Sequence, residues 1–177
     1  NPQTVNRIAG SLYQMGIDAI IEKCTAPKET NRQMGPLFKN WIAGNVIGVP
    51  VLKDSDEFLD RADNCILNLS DNAMQKFAAD FLGFRRNKGV DFIAKFNGKY
   101  IAGEAKFLTD FGGHQNAQFE DALTSLHSFK KSGTAVIPIA ILDGVIYLKK
   151  HNKMYEYLLT HPKDNIMSAL VLREFLY

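Results

Sequence analysis

Residues 89–106 read Gly89-Val-Asp-Phe-Ile-Ala-Lys-Phe-Asn97-Gly98-Lys-Tyr-Ile-Ala-Gly-Glu-Ala-Lys106, and no other stretch constrains the fold as much. Two runs rich in β-branched and aromatic residues flank Asn97-Gly98, the strongest short signal for a two-residue hairpin turn. With the turn there, Phe96 faces Lys99, and counting outward sets Asp91 opposite Glu104. Directly opposed residues share one face of a sheet, with Cβ atoms about 5 Å apart. Lys106, two residues past Glu104, joins them on that face. The other face carries Val90, Phe92, Ala94, Phe96, Ile101, Gly103, Ala105 and Phe107, which suits a core. A slip of one residue would bury the charges and expose the phenylalanines, so the pattern pins the register. Opposed carboxylates repel unless neutralised, and a divalent cation is the natural neutraliser. The plainer alternative is a solvated outer side of an edge hairpin. Ile93 and Ala102 on the charged side argue instead for a partly enclosed cleft.

At 177 residues, 46% hydrophobic and 23% charged, the chain suits one domain, residues 1–177, with a full core. A formal charge of +2 excludes a broadly basic coating protein and leaves any nucleic-acid surface to a local patch. Cys24 and Cys65, both in helix-like apolar contexts, read as buried structural thiols and are too few for a zinc site. No secretory segment is evident and no apolar run approaches about 18 residues, so a cytoplasmic protein without a membrane partner is expected.

Residues 3–24 read as helical, with Val5, Ile8, Leu12, Ile17, Ile20 and Ile21 near helical spacing and Gly16 as an interruption. The segment 27–36 is polar and turn-rich, leading to a short helix at 37–43, and 44–53 is a strand or a loop. Helices follow at 54–63 and 71–82, the second capped by Ser70 and stopped by Gly83. After the hairpin and Gly112-Gly113, an amphipathic helix spans 114–131, with Phe119, Ala122, Leu123, Leu126 and Phe129 in one stripe. Strands 134–142 and 145–149 meet at Asp143-Gly144, a second hairpin signal, and helices near 152–160 and 164–176 close the chain. This order predicts an α/β (α+β) fold, a mixed central β-sheet flanked by α-helices. The crossover between Phe107 and Thr134 is long enough to set the third strand parallel to the second.

An acid, a turn, then acid-x-Lys on the next strand resembles the signature of the PD-(D/E)xK nucleases. Val90-Asp91 stands where that family often has Pro-Asp, and Glu104-Ala105-Lys106 matches the second half. The missing proline carries no chemistry. Residues 107–118 and 30–36 are similar to segments of some type II restriction endonucleases, so the likeness covers roughly half the chain. It implies a restriction-endonuclease-like core and a Mg2+-dependent, sequence-specific hydrolysis of phosphodiester bonds in double-stranded DNA. It also implies a homodimer, since two active sites are needed to cut both strands of a palindrome.

That chemistry needs an activated water and stabilised charge at the scissile phosphate. Mg2+ supplies both, and the hard oxygens of Asp91, Glu104 and a main-chain carbonyl such as that of Ala105 suit it. Lys106 would orient the water and offset developing charge, serve as a base if its pKa is lowered, or simply pair with Glu104. Glu29 and Glu57 are candidates for an auxiliary carboxylate, although an isolated Glu is usually solvated. Arg85, Arg86 and Lys88, just before Asp91, could meet phosphates as readily as form a solvated loop. Thr109, Asp110, His114, Gln115, Asn116 and Gln118 offer groups for base edges or the DNA backbone, although helix starts are polar in any case. His127, His151 and His161 lack metal-ligand spacing, and Gly112-Gly113 lacks a P-loop pattern, so no nucleotide cofactor is expected. Two rivals remain. A repair or junction-resolving nuclease of the same fold would favour basic stripes over the Gln/Asn-rich 114–118 segment. A non-catalytic DNA-binding module would not need the intact Asp91, Glu104 and Lys106 set.

Overall fold

The computed structural model describes residues 2–25, 30–130, 134–149 and 152–177, and for 30–34 the backbone alone. The chain forms two compact units, Asn1–Thr30 and Asn31–Tyr177. In the first, α1 (Pro2–Met15) and α2 (Ile17–Thr25) are separated by Gly16, as expected. Val5, Tyr13, Ile17 and Ile21 are exposed. Cys24 is exposed as well, not buried, because a pair of helices has little interior of its own.

In the second unit the order is α3 (Thr30–Ala43), β1 (Val51–Leu52), α4 (Ser55–Asp60), β2 (Cys65–Leu67), α5 (Asp71–Phe81), β3 (Phe92–Phe96), β4 (Lys99–Leu108), α6 (Gly113–Leu126), β5 (Val136–Gly144), α7 (Lys153–Thr160), β6 (Ile166–Met167) and α8 (Leu172–Leu176). The six strands lie side by side in chain order. Strands β2 and β4 each run antiparallel to β3 between them, and β1, β5 and β6 join their neighbours in parallel. The sheet is therefore mixed, and the β4–α6–β5 crossover makes the parallel pair that chain length predicted. At the hairpin turn Asn97 and Gly98 both have positive φ, 51° and 71°, as the tight turn requires, and Phe96 faces Lys99.

Both faces of the sheet are covered. On one, Phe92, Ala94, Ile101, Ile139 and Ile141 pack with Phe38 and Ile42 of α3 and Leu172 and Leu176 of α8. On the other, Ile93 and Ala102 meet Phe58 of α4 and Met74 and Phe77 of α5. Beside them Leu108, Ala140 and Leu142 meet Phe119 and Ala122 of α6 and Met154 of α7. Each large apolar side chain so buried contributes about 1.5–3 kcal/mol, and together they determine which local preferences survive.

Several local expectations give way to that packing. Helix α3 begins at Thr30 and carries Pro36 inside it. The buried contacts of Phe38 and Ile42 outweigh a proline cost of about 3 kcal/mol. Cys65 lies in β2 and not in a helix; a run of three apolar residues has no period to reveal its class. Ser70 takes the N-cap position of α5 without a side-chain cap bond. Helix α6 ends at Leu126, and Phe129 beyond it bridges to Phe84 instead. Asp143-Gly144 makes no hairpin. Strand β5 runs on to Gly144, paired with Leu108, and a 3-10 turn over Val145–Tyr147 follows. A Cβ on Gly144 would lie 2.0 Å from the Leu108 carbonyl oxygen, so close strand approach requires this glycine. The two-residue strand β6 interrupts the helix expected over 164–176. No helix among the described residues is long and apolar enough to cross a membrane.

Candidate active site

Strict pairing of the hairpin ends at Phe92 and Gly103. One residue further out, the Asp91 N–H donates to the Gly103 carbonyl at 3.0 Å, and Asp91 Oδ2 accepts from the Ala105 N–H at 2.9 Å. Asp91 thus hooks over the end of the ladder and does not sit in register opposite Glu104. The alternation breaks there, so Val90 joins the core on the α4 and α5 side, not the α3 side. The two carboxylates still feel each other. Burial raises the Asp91 pKa and the charge of Glu104 pushes the same way, against the Ala105 N–H, Lys106 and Lys88.

Glu104 is 3% exposed. Its Oε1 is held by Lys88 Nζ and lies 3.1 Å from Lys106 Nζ; its Oε2 accepts the Ser125 hydroxyl. Lys88 also reaches Asp121 Oδ2 at 2.7 Å, and Lys106 stands 3.9 Å from that oxygen. The Arg86 guanidinium donates to the Asp121 carbonyl at 2.9 Å, to Asp121 Oδ1 at 2.6 Å and to Ser125 Oγ at 2.6 Å. A chain of donors therefore runs from Arg86 through Ser125 to Glu104 and fixes that carboxylate. Burial pushes Asp121 up, yet the hydrogen bonds from Lys88 and Arg86 outweigh it and hold its pKa low. Burial pulls Lys106 down, yet Glu104 and Asp91 outweigh it and hold its pKa above the ordinary lysine value.

These groups line a cleft of about 540 Å³. Asp91, Glu104, Lys106 and Lys88 meet there with Pro36, Lys39 and Asn40 of α3, and with Asp71, which pairs with Lys39. The donor set fits a hard divalent cation. Asp91 Oδ1 accepts no hydrogen bond among the described residues, and the neighbouring charge of Glu104 adds to the cost of ionising Asp91. No third His, Cys, Asp or Glu side chain among the described residues is placed to hold a metal ion together with them. The rest of such a shell would be water and main-chain oxygen, which Mg2+-like ions accept.

The proposed DNA groups divide. Arg85 is exposed. Arg86 is engaged by Asp121 and Ser125, which turns it from a phosphate contact into a brace for Glu104. Lys88 likewise faces two carboxylates. Gln115 is 3% exposed; its Oε1 accepts from the Thr109 N–H at 3.3 Å and its Nε2 donates to Thr109 Oγ1 at 3.0 Å. It braces the loop after β4, and burial removes it from base reading. Asp110 accepts from the Gly112 N–H at 2.6 Å, and Asn116 donates to the Phe111 carbonyl at 3.2 Å. His114 and Gln118 pair at 3.0 Å on the outer side of α6. Glu57 faces Arg61 on α4 and does not line the cleft. Glu29 and His151 lie outside the described residues. His127 meets Asp164, and His161 stacks on Tyr157 with ring centroids 3.8 Å apart.

Asp121 and Ser125 are the site residues that sequence reasoning missed. They stand four apart and so share one edge of α6, beside the apolar stripe of Phe119 and Ala122. That spacing was a signal, but nothing local says what the edge faces.

A mixed sheet covered by helices on both faces, with two carboxylates and lysines in a cleft where its hairpin ends, defines a nuclease of the restriction-endonuclease-like class. The model of the Tsp45I type II restriction enzyme family matches residues 1–177, and the chain belongs to that family. It is therefore a type II restriction endonuclease, a site-specific deoxyribonuclease acting on double-stranded DNA, of a kind that generally uses a divalent metal. No curated protein and no solved structure matches the chain.

Proposed function

We propose that Asp91, Glu104 and Lys106 are the catalytic set, and that Asp91, Glu104 and the main-chain carbonyl of Ala105 hold Mg2+. The observation that carries this is the convergence of two carboxylates and a lysine in one cleft. Ala105 suits its role because its N–H already reaches past the end of β3 to Asp91, and in a ladder a residue's N–H and C=O point the same way. A divalent cation bound there lowers the pKa of a coordinated water and stabilises charge on the phosphate. Lys106 orients the attacking water and offsets that charge. Arg86, Ser125 and Lys88 keep Glu104 aligned. Arg85, Asp110, His114, Asn116 and Gln118 face the DNA, with Thr109 held in line by Gln115. The enzyme works in the cytoplasm as a homodimer without a nucleotide cofactor, residues 1–177 forming one nuclease domain.

The test is digestion of unmodified phage DNA with Mg2+ or with EDTA, followed by sequencing of fragment ends. Discrete fragments sharing one end sequence, absent with EDTA, are expected. Random nicking, or cleavage indifferent to EDTA, overturns the reading.

A further inference from the structure

We infer that Lys88 is a built-in counter-cation that occupies Glu104 until a divalent cation displaces it, with Asp121 as the seat to which it withdraws. This rests on the reading of Asp91 and Glu104 as the metal-holding pair. An ionised carboxylate as buried as Glu104 needs compensation at all times. Three carboxylates, Asp91, Glu104 and Asp121, face three cations, Lys88, Lys106 and Arg86, so the cluster is balanced without a metal. Adding a divalent cation creates a surplus of positive charge beside Glu104 Oε1, the oxygen that Lys88 holds. One lysine must then give way. Lys106 is anchored on β4 two residues from Glu104, whereas Lys88 comes from the loop between α5 and β3. Lys88 already touches Asp121 Oδ2 at 2.7 Å, and Arg86 fixes the other oxygen of that carboxylate at 2.6 Å. Lys88 can therefore release Glu104 without losing its last partner. Metal affinity is accordingly set below what the carboxylates alone would provide, and Lys88 is a positioning residue acting through Glu104.

Competition predicts effects of opposite sign for the two partners. Terbium luminescence titrations without DNA read binding independently of cleavage, since Tb3+ is a hard oxygen-seeking cation. Lys88→Met should tighten Tb3+ binding by about tenfold. Asp121→Asn, which leaves the ammonium with Glu104 as its carboxylate, should loosen it by roughly fivefold. That loosening should shrink in the Lys88→Met background. Removal of the Lys88 charge by itself would also tighten binding, but it would leave the Asp121→Asn loosening undiminished in the Lys88→Met background, so an undiminished loosening refutes the competition. If Lys88→Met binds Tb3+ as wild type does or more weakly while Asp91→Asn abolishes binding, the inference falls and the site stands. Binding that survives Asp91→Asn sinks the reading of the site itself. No binding by either wild type or Lys88→Met also overturns the competition. Should Lys88→Met fail to fold in a thermal melt, Asp121→Asn alone decides, and unchanged affinity there refutes the inference.

Discussion

On the hairpin face that carries Glu104 and Lys106, a lysine more deeply buried than Lys106 sits nearer the turn. Lys95, 7% exposed, donates to the main-chain carbonyls of Phe58, Leu59 and Arg61 at 2.8, 2.9 and 2.8 Å. It also lies over the rings of Phe58 and Tyr100. Those carbonyls are the open end of α4, where a cation satisfies orphan acceptors and meets the negative end of the helix dipole. Its three ammonium donors have three fixed acceptors. At the cleft end the pairing is different. Lys88 is shared between two carboxylates, Glu104 between two lysines and a serine, and Asp91 Oδ1 has no donor among the described residues. Burial of charge alone therefore does not mark a site. A charge with main-chain partners holds the fold, whereas a charge whose partners are other side chains beside a cleft can exchange them, as catalysis demands.

Substitutions can break this contrast, beginning with the largest effect. Asp91→Ala or Glu104→Gln should lower cleavage by at least about 10³-fold while the protein stays folded, and Lys106→Ala by about 10²-fold. Cleavage rates beside circular dichroism check this; substantial cutting by Asp91→Ala would dissolve the distinction between the two ends. Lys95→Met should cost about 3 kcal/mol in a denaturant titration, because three buried carbonyls lose their donor. Cleavage per folded molecule should stay at the wild-type level. A slowed reaction without lost stability would move Lys95 into the catalytic end.

Gln115→Ala should cost about 1–2 kcal/mol of stability through its two bonds to Thr109. Binding to cognate and scrambled duplexes should then change equally; a loss confined to the cognate duplex would restore Gln115 as a base reader. The smallest effect concerns a third cluster, remote in kind from both. Burial pushes the Asp164 pKa up, but hydrogen bonds from Tyr157 and His127 outweigh it and hold it low. A carboxylate held low stabilises the fold above its unfolded pKa, about 3.9. That contribution disappears as pH falls through the lower folded value. Thermal melts of wild type and Asp164→Asn should differ by about 1 kcal/mol or less at pH 6, and the gap should close below about pH 4. A gap constant down to pH 2 would show that the carboxylate's charge contributes nothing.

The hairpin, most of its apolar α3-side face, and the meeting of Asp91, Glu104 and Lys106 at one cleft were legible in the chain, whereas the departure of Val90 and Asp91 from the ladder was not. Alternation and turn chemistry act within twenty residues, and a one-residue slip would have been ruinous to burial. The parallel β4–β5 pair followed from crossover length. Only packing could decide the remainder. Asp143-Gly144 reads alike whether glycine serves a turn or a close strand approach, and Leu108 opposite Gly144 chose the second. β2 and β6 are too short to carry a period. Ser125 meets Glu104 and Asp121 meets Lys88 because α6 docks on β4, and Gln115 points inward while His114 points out for the same reason. Lys95 and Lys88 are the same residue type in sequence. The difference between them lies in partners brought from 34 to 37 residues away in one case and from 16 and 33 in the other. Local pattern specifies which side of a strand a residue faces, and tertiary packing specifies what waits there.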